Sequence, residues 1–200
     1  MAKPGAKARD IENSLVGTLN KIDKNRLVVV KLAVGVNNFT VKYKNRYGEN
    51  ELRVGNQTPG QIFQELVQVK YSAKQAFRGA VVSYCTIPPI NLFWYYKYKQ
   101  IAHPSYTETE LLEVSEEIRQ RVQEVNDKIY AANKIEQSGI IPVTPSLHTS
   151  CIKTLKNGKK RLIASALYDG IRGTDSSVSY WMRRIRRAAL EEIRRLNNRQ

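Results

Sequence analysis

The spacing of apolar residues predicts four helices. The first covers residues 10–24, and the second begins after Thr58, where Thr58 and Gln61 form a capping box around Pro59. The third follows another capping box at residues 107–110 and extends to about residue 136. The fourth begins at Thr174 or Asp175 and runs nearly to the last residue. The third helix has a seam of apolar residues three or four positions apart: Ile118, Val122, Val125, Ile129 and Ala132.

Strands are predicted in two parts of the chain. Residues 27–33 are rich in valine, residues 39–44 alternate apolar side chains with Lys42 and Lys44, and residues 52–54 follow a turn at Gly48. In sequence order these three strands predict an antiparallel meander. Further along, Asn157-Gly158 between two alternating runs predicts a β-hairpin with a two-residue loop, in which Lys156 pairs with Lys159 and Thr154 with Arg161.

These elements predict an α+β fold. An N-terminal helix, a three-stranded antiparallel meander and a helix are followed by a long acidic helix, a basic β-hairpin and a C-terminal amphipathic helix. We expect a basic mobile tail over residues 1–9, a first half over 10–104 that contains an aromatic segment, and a second half over 105–200. The two halves can also form one compact domain.

Charge separates this chain from an ordinary globular protein. Its 200 residues contain 33 Lys and Arg against 18 Asp and Glu, a formal net charge of +15. Residues 151–200 alone hold thirteen basic and four acidic side chains, whereas residues 101–150 hold four and eight. Such asymmetry favours a polyanionic partner, above all nucleic acid. The acidic helix at 107–136 is then a surface for a protein partner or for self-association.

The hairpin is the first candidate for phosphate contact. Paired residues of a hairpin point to one face, so the predicted register places Lys156, Lys159 and Arg161 together and Lys160 on the other face. Like charges opposite one another destabilise a strand pair, and a polyanion would relieve that repulsion. The alternative is a solvated hairpin whose lysines keep the protein soluble and block edge pairing.

The final helix is the second candidate. Arg183, Arg187 and Arg194 fall within about 40° of one another on the face opposite the apolar side chains. Arginine matches phosphate geometry with a rigid fork, which favours a binding role over a merely solvated face. The predicted core face is formed by Val178, Trp181, Met182, Ile185, Ala189, Ile193 and Leu196.

Aromatic residues between cations form a third candidate. Single-stranded nucleic acids bind where bases stack on aromatic rings beside positive charge. The stacking candidates are Tyr47, Tyr95, Tyr96 and Tyr98, and the cations near them are Lys42, Lys44, Arg46, Lys97 and Lys99. The alternative is that these rings belong to the core or to a protein interface.

Few catalytic signatures occur. The sequence lacks the glycine-rich phosphate loops, the zinc-binding motifs and the nucleophile elbow of known enzyme classes, so we expect no cofactor and no bound metal. For a metal-dependent nuclease, the enzymatic alternative, the candidate carboxylates outside the acidic helix are Glu12, Glu49, Glu51, Glu65, Asp169 and Asp175. Of these, Glu49 and Glu51 would project from the same side of a strand. Two cysteines 66 positions apart, Cys85 and Cys151, predict buried, reduced thiols. Without a signal peptide or a membrane span, we expect a cytoplasmic protein with no membrane partner.

The sequence therefore predicts a non-catalytic nucleic-acid-binding protein that grips the phosphate backbone. It would act as a structural subunit of a nucleoprotein assembly or as an architectural or regulatory binder. The alternatives are the nuclease and a protein–protein adaptor that uses the acidic helix and the aromatic cluster. The choice between DNA and RNA stays open.

Overall fold

Helices surround three two-stranded sheets in the part of the chain that the structure describes. A computed structural model describes residues 6–134, 144–148, 151–158, 160–163, 166–167 and 170–198, and of residues 160 and 161 the backbone only. The helices are α1 (Glu12–Leu19), α2 (Pro59–Ala76), α3 (Leu92–Lys99), α4 (Glu108–Lys134) and α5 (Asp175–Asn197). The strands are β1 (Val29–Leu32), β2 (Thr40–Lys44), β3 (Asn50–Val54), β4 (Val81–Tyr84), β5 (Ile152–Thr154) and β6 (Lys160–Leu162). The α+β class is confirmed.

The predicted three-stranded meander is wrong. Strand β1 pairs in parallel with β4, in a register that places Val29 beside Val81 and Leu32 beside Tyr84. The hairpin β2–β3 and helix α2 form the connection between these two strands. Strand β4 is buried along its whole length, as is typical of strands in parallel sheets, which are covered on both faces.

Strands β2 and β3 form a separate antiparallel hairpin, which confirms this part of the prediction. Val41 lies opposite Arg53 and Tyr43 opposite Glu51, so these four side chains share one face. The turn contains Gly48 at φ +81°, a conformation that glycine adopts at low cost.

The N-terminal helix is shorter than predicted. A 3-10 turn at Ala8–Ile11 leads into α1, which ends at Leu19 rather than near residue 24. The side chain of Ala8 is fully buried, and its backbone N–H donates to Oδ1 of Asn38 at 3.0 Å. The predicted mobile tail therefore does not include residues 6–9, and residues 1–5 lie outside the described residues.

One core joins the two predicted halves. The capping box of α2 is confirmed, because Thr58 Oγ1 accepts from the Gln61 N–H and the Gln61 side chain accepts from the Thr58 N–H. The box at Thr107 and Glu110 is confirmed in the same way. The apolar seam of α4 packs against α2 in a single cluster that includes Ile62, Leu66, Val69, Ile118, Val122, Val125 and Ile129.

Two asparagines of α4 fix it to the parallel strand pair. Asn133 accepts from the N–H of Tyr84 at 3.1 Å and donates to its carbonyl at 2.9 Å. Asn126 makes the same pair of bonds with Ile87, at 2.7 and 3.0 Å. The two amides satisfy backbone groups of Tyr84 in β4 and of Ile87, three residues after it, that would otherwise be buried without hydrogen bonds.

Helix α5 packs on β1 along a narrow strip. Ala188 and Glu192 are its buried residues, whereas the exposed fractions of Val178 and Met182 are 42% and 60%. The prediction that the whole apolar face of this helix is core is therefore wrong for Val178 and Met182, and Trp181 is only half-buried.

Among the described residues, no helix is both long and apolar enough to cross a membrane.

Candidate nucleic-acid interface

A buried ion pair anchors α5. Glu192 of α5 contacts Nζ of Lys31 on β1, and the exposed fractions of the two side chains are 0% and 2%. Lys31 also donates to Oγ of Ser83 on β4 at 2.8 Å. Burial lowers the pKa of Lys31, and the hydrogen bond and charge of Glu192 oppose that shift. The ion pair therefore fixes the rotation of α5 about its own axis.

This rotation directs a row of arginines outward. Arg183, Arg187 and Arg194 are exposed, and none of them forms an ion pair with a described residue. At about 1.5 Å of rise per residue, the row spans roughly 16 Å of helix. We call these three residues the arginine row.

The two glutamates of the same helix do not neutralise the arginine row, and its third acidic residue, Asp175, lies in the first turn, eight residues before Arg183. Glu192 faces inward to Lys31, and Glu191 pairs with Arg195 one turn further on. Arg184 donates to the hydroxyl of Tyr180 at 2.9 Å, which positions that guanidinium at the edge of the row. Thr174 caps the helix by accepting from the N–H of Ser177. The outward face of α5 therefore carries uncompensated positive charge.

The hairpin β5–β6 exists, but in a register one residue away from the predicted one. Lys153 lies opposite Arg161 and Thr154 opposite Lys160, so the predicted pairing of Thr154 with Arg161 is wrong. Strand β5 ends at Thr154 and β6 begins at Lys160, so the two strands are not joined by a two-residue loop. Lys156 is exposed near the tip; Lys159 lies outside the described residues, as do the side chains of Lys160 and Arg161.

One face of this hairpin lies toward the acidic helix. Ile152, Thr154 and Leu162 line a cavity of about 570 Å³ together with Glu116 and Arg119 of α4. The tip, residues 155–158, is exposed. The tip and Lys153 are therefore accessible to solvent, whereas the other face of the hairpin lines the cavity.

The lysines of β2 lie apart from its aromatic face. Lys42 pairs with Leu52 and Lys44 with Asn50, so both project from the face opposite Tyr43. Both lysines are exposed. Their face of the hairpin also carries Leu52 and Val54, which pack against the core.

Helix α3 has its aromatic residues in different environments. Tyr98 is 42% exposed with Lys99 beside its ring, and Tyr95 is half-buried. Tyr96 is 4% exposed and donates from its hydroxyl to the carbonyl of Leu52 at 2.9 Å, so its prediction as a stacking residue is wrong. Lys97 lies over Phe93 and 3.8 Å from Glu108, which reduces its capacity to attract phosphate.

Asn45 organises the turn between β2 and β3. Its Oδ1 accepts from the N–H groups of Tyr47 and Glu49, both at 3.0 Å. Its Nδ2 donates to Glu49, to Glu51 and to the carbonyl of His103. The side chain is 7% exposed, so one amide links the turn to the segment that follows α3.

The two candidate nuclease carboxylates are engaged in structural hydrogen bonds. Glu49 accepts from the N–H groups of Ala102 and His103, and Glu51 from that of Ser105, all at 3.0 Å. Hydrogen bonds from Asn45 and the backbone lower the pKa of Glu49. Burial acts to raise the pKa of Glu51, but its hydrogen bonds from Ser105 and Asn45 outweigh burial and lower it. Among the described residues, no group of three His, Cys, Asp or Glu side chains is arranged to hold a metal ion.

Three residues important to these surfaces were not predicted from the sequence. Glu192 follows Glu191 and looks like a surface residue, because nothing local indicates that Lys31 lies opposite it. Arg53 and His103 come together only because the segment after α3 folds onto the β2–β3 hairpin. The stacking candidate Tyr47 does lie beside them: it is 54% exposed, with the His103 ring centroid 4.3 Å from its own.

Comparison of the sequence with protein-family models and with curated proteins finds no match.

Proposed function

We propose that this protein binds the phosphate backbone of nucleic acid without catalysis, and that α5 is its principal contact. The observation that carries the proposal is the arginine row, three exposed guanidinium groups on one face of a helix whose two glutamates are buried or paired. The net charge of +15 supplies the long-range attraction.

The geometry of the row suits a sugar–phosphate chain. A guanidinium group binds a phosphate through two parallel hydrogen bonds, and the row is about two to three phosphate spacings long. The helix is fixed on β1 by the buried pair Lys31–Glu192, so little freedom is lost when phosphate binds. Lys153 and Lys156 of the β5–β6 hairpin, both exposed, add further cations.

The test is the salt dependence of binding to a DNA duplex and to an RNA of equal length. The triple variant R183Q/R187Q/R194Q should lower the slope of log affinity against log salt by about 2 to 3, because each lost phosphate contact contributes about 0.9. The matched control is K21Q/K128Q/K134Q, which removes the same charge at exposed positions on other surfaces.

The control variant should retain most of the slope of the native protein. Equal losses in the two triple variants would show that only net charge matters and would overturn the assignment to α5. Binding whose affinity does not change between ~50 and ~200 mM salt would overturn the proposed function itself.

A further inference from the structure

The aromatic face of the β2–β3 hairpin contains a pocket of about 630 Å³. Cavities of about 300–1,000 Å³ are the size that holds small ligands and cofactors. Its walls come from Tyr43, Asn45, Arg46, Tyr47 and Arg53 of the hairpin and from residues 102–105, which follow α3. We call it the Arg53 pocket.

The guanidinium group of Arg53 is available to bind an anion. Its guanidinium lies 3.4 Å from the ring centroid of Tyr43 and 6.0 Å from that of Tyr106. It makes no hydrogen bond or ion pair with any described residue, and its buried Nε has no hydrogen-bond partner. Stacking holds the guanidinium in place while its N–H donors remain available to a phosphate after a small rotation of the side chain.

A second cation and two rings complete the pocket. The guanidinium of Arg46 lies 4.8 Å from the ring centroid of Tyr47 and is exposed. The rings of Tyr47 and His103 are tilted by 34° to each other, which makes them a nearly stacked pair open to solvent. Cations beside stacked rings suit a ligand that has an anionic group and a flat aromatic group a few ångströms apart.

The pocket is preorganised. The buried side chain of Asn45 holds the turn that carries Arg46 and Tyr47 and also binds the carbonyl of His103 at 2.9 Å. Glu49 and Glu51 do not line the pocket, and the backbone N–H groups of residues 102, 103 and 105 bind their carboxylates. A ligand therefore meets fixed walls, which reduces the entropy lost on binding.

We infer that the Arg53 pocket binds one nucleotide of a single-stranded nucleic acid, with the phosphate on Arg46 and Arg53 and the base against the Tyr47–His103 rings. This inference rests on the proposed function and adds to it a preference for strands with unpaired bases. A duplex keeps its bases stacked on one another, so it can reach the arginine row but not this pocket.

The experiment uses the full-length chain and AMP as the probe, with ribose 5-phosphate and adenosine as probes that carry the phosphate alone and the base alone. Calorimetry or NMR titration should show AMP binding about tenfold tighter than either fragment, since both halves of the pocket then contribute. R46Q and Y47A should each weaken AMP binding about tenfold. R53Q should abolish it, and circular dichroism monitors whether that variant folds. K42Q removes one charge on the opposite face of the same hairpin and should leave AMP binding unchanged.

Two results would overturn the inference: no saturable AMP binding, or equal weakening of AMP binding by K42Q and R46Q.

The proposed function has a separate test. The variant R183Q/R187Q/R194Q should weaken binding to duplex and to single strand alike, whereas R46Q should weaken binding to single strand only. Loss of AMP binding with salt-dependent duplex binding intact would refute the pocket and leave the role of α5 standing. AMP binding without any affinity for polynucleotide would refute the role of α5 and leave the pocket standing.

Discussion

Glu192 lies on the last turns of α5 and forms a buried ion pair with Lys31, which lies 161 residues earlier in the chain. Two charges removed from water stabilise a fold only as a pair, because either charge alone is left unsolvated. The pair therefore connects the orientation of the arginine row to the stability of the parallel strands.

Removing one residue of the Lys31–Glu192 pair should destabilise the fold. We expect Glu192→Ala to lower the free energy of unfolding by about 3–5 kcal/mol, because Lys31 then stays buried without its carboxylate. Urea denaturation followed by circular dichroism measures this. The double variant K31M/E192L, which replaces both charges with apolar side chains, should recover most of the loss. A single variant as stable as the native protein would contradict the buried pair.

Gly170 should tolerate no side chain. It has φ +80°, and a Cβ there would collide with the backbone oxygen of Asn91 and lie 2.8 Å from the N–H nitrogen of Tyr95. The same contact includes a hydrogen bond from the Asn91 N–H to the Gly170 carbonyl at 2.7 Å. Gly170→Ala should therefore destabilise by more than about 2 kcal/mol, since backbone strain adds to the collision.

Gly158 provides the matched control for this substitution. Its φ is +78°, but a Cβ there has no atom within 4 Å. Gly158→Ala should cost only the strain of the left-handed conformation, about 1–2 kcal/mol. Thermal unfolding of Gly170→Ala and Gly158→Ala compares the two losses of stability. Equal destabilisation would show that the segment before α5 does not pack closely on α3.

The segment after α3 should loosen in acid. Hydrogen bonds lower the pKa values of Glu49 and Glu51 below the ordinary value of 4.5, so their stabilising effect is complete above that pH. It is lost as the pH falls through the lowered values, because the protonated carboxyl no longer accepts charge-assisted bonds. Glu51→Gln should therefore reduce the melting temperature at pH 7, and the difference from the native protein should shrink below about pH 4.

The control for this pH dependence is Glu113→Gln, which changes an exposed carboxyl of α4. Its melting temperature should follow that of the native protein at each pH. A difference between native protein and E51Q that stays constant from pH 7 to pH 3 would show that ionisation of Glu51 does not stabilise the fold.

Local chemistry explains which parts of the fold the sequence could predict. The capping boxes at Thr58 and Thr107 and the seam of α4 depend on residues within a few positions of one another, and all are confirmed. The pairing of β1 with β4 joins segments about 50 residues apart, whereas the order of strands along the chain favours a meander of neighbours. The valine pair that opens each strand, Val29-Val30 and Val81-Val82, was the available signal.

The candidate site also has parts that the sequence predicts and parts that only the tertiary fold reveals. The arginine row followed from helical periodicity, because its three residues belong to one element. Tyr96 looked no different from Tyr95 and Tyr98 in the sequence, yet its ring is buried under the β2–β3 hairpin. The Arg53 pocket needs two segments that only the tertiary fold brings together, so no spacing rule could have found it.

The register of the β5–β6 hairpin determines which of its cations act together. Because Lys153 lies opposite residue 161, these two positions share the face away from the cavity beside α4. The variant K153E/R161E should therefore weaken binding to nucleic acid about equally for all base sequences, as expected for backbone contacts. Electrophoretic mobility shift with several unrelated duplexes measures this.

Charge reversal at Lys128 and Lys134, which are exposed on α4, is the control for net charge. If K153E/R161E binds as the native protein does, phosphate contact does not include this hairpin, and α5 must supply the affinity. A loss confined to one base sequence would also contradict backbone binding, because phosphates carry no sequence information directly. The expected result is a uniform loss that exceeds that of K128E/K134E and disappears at high salt, where counterions already screen the phosphates.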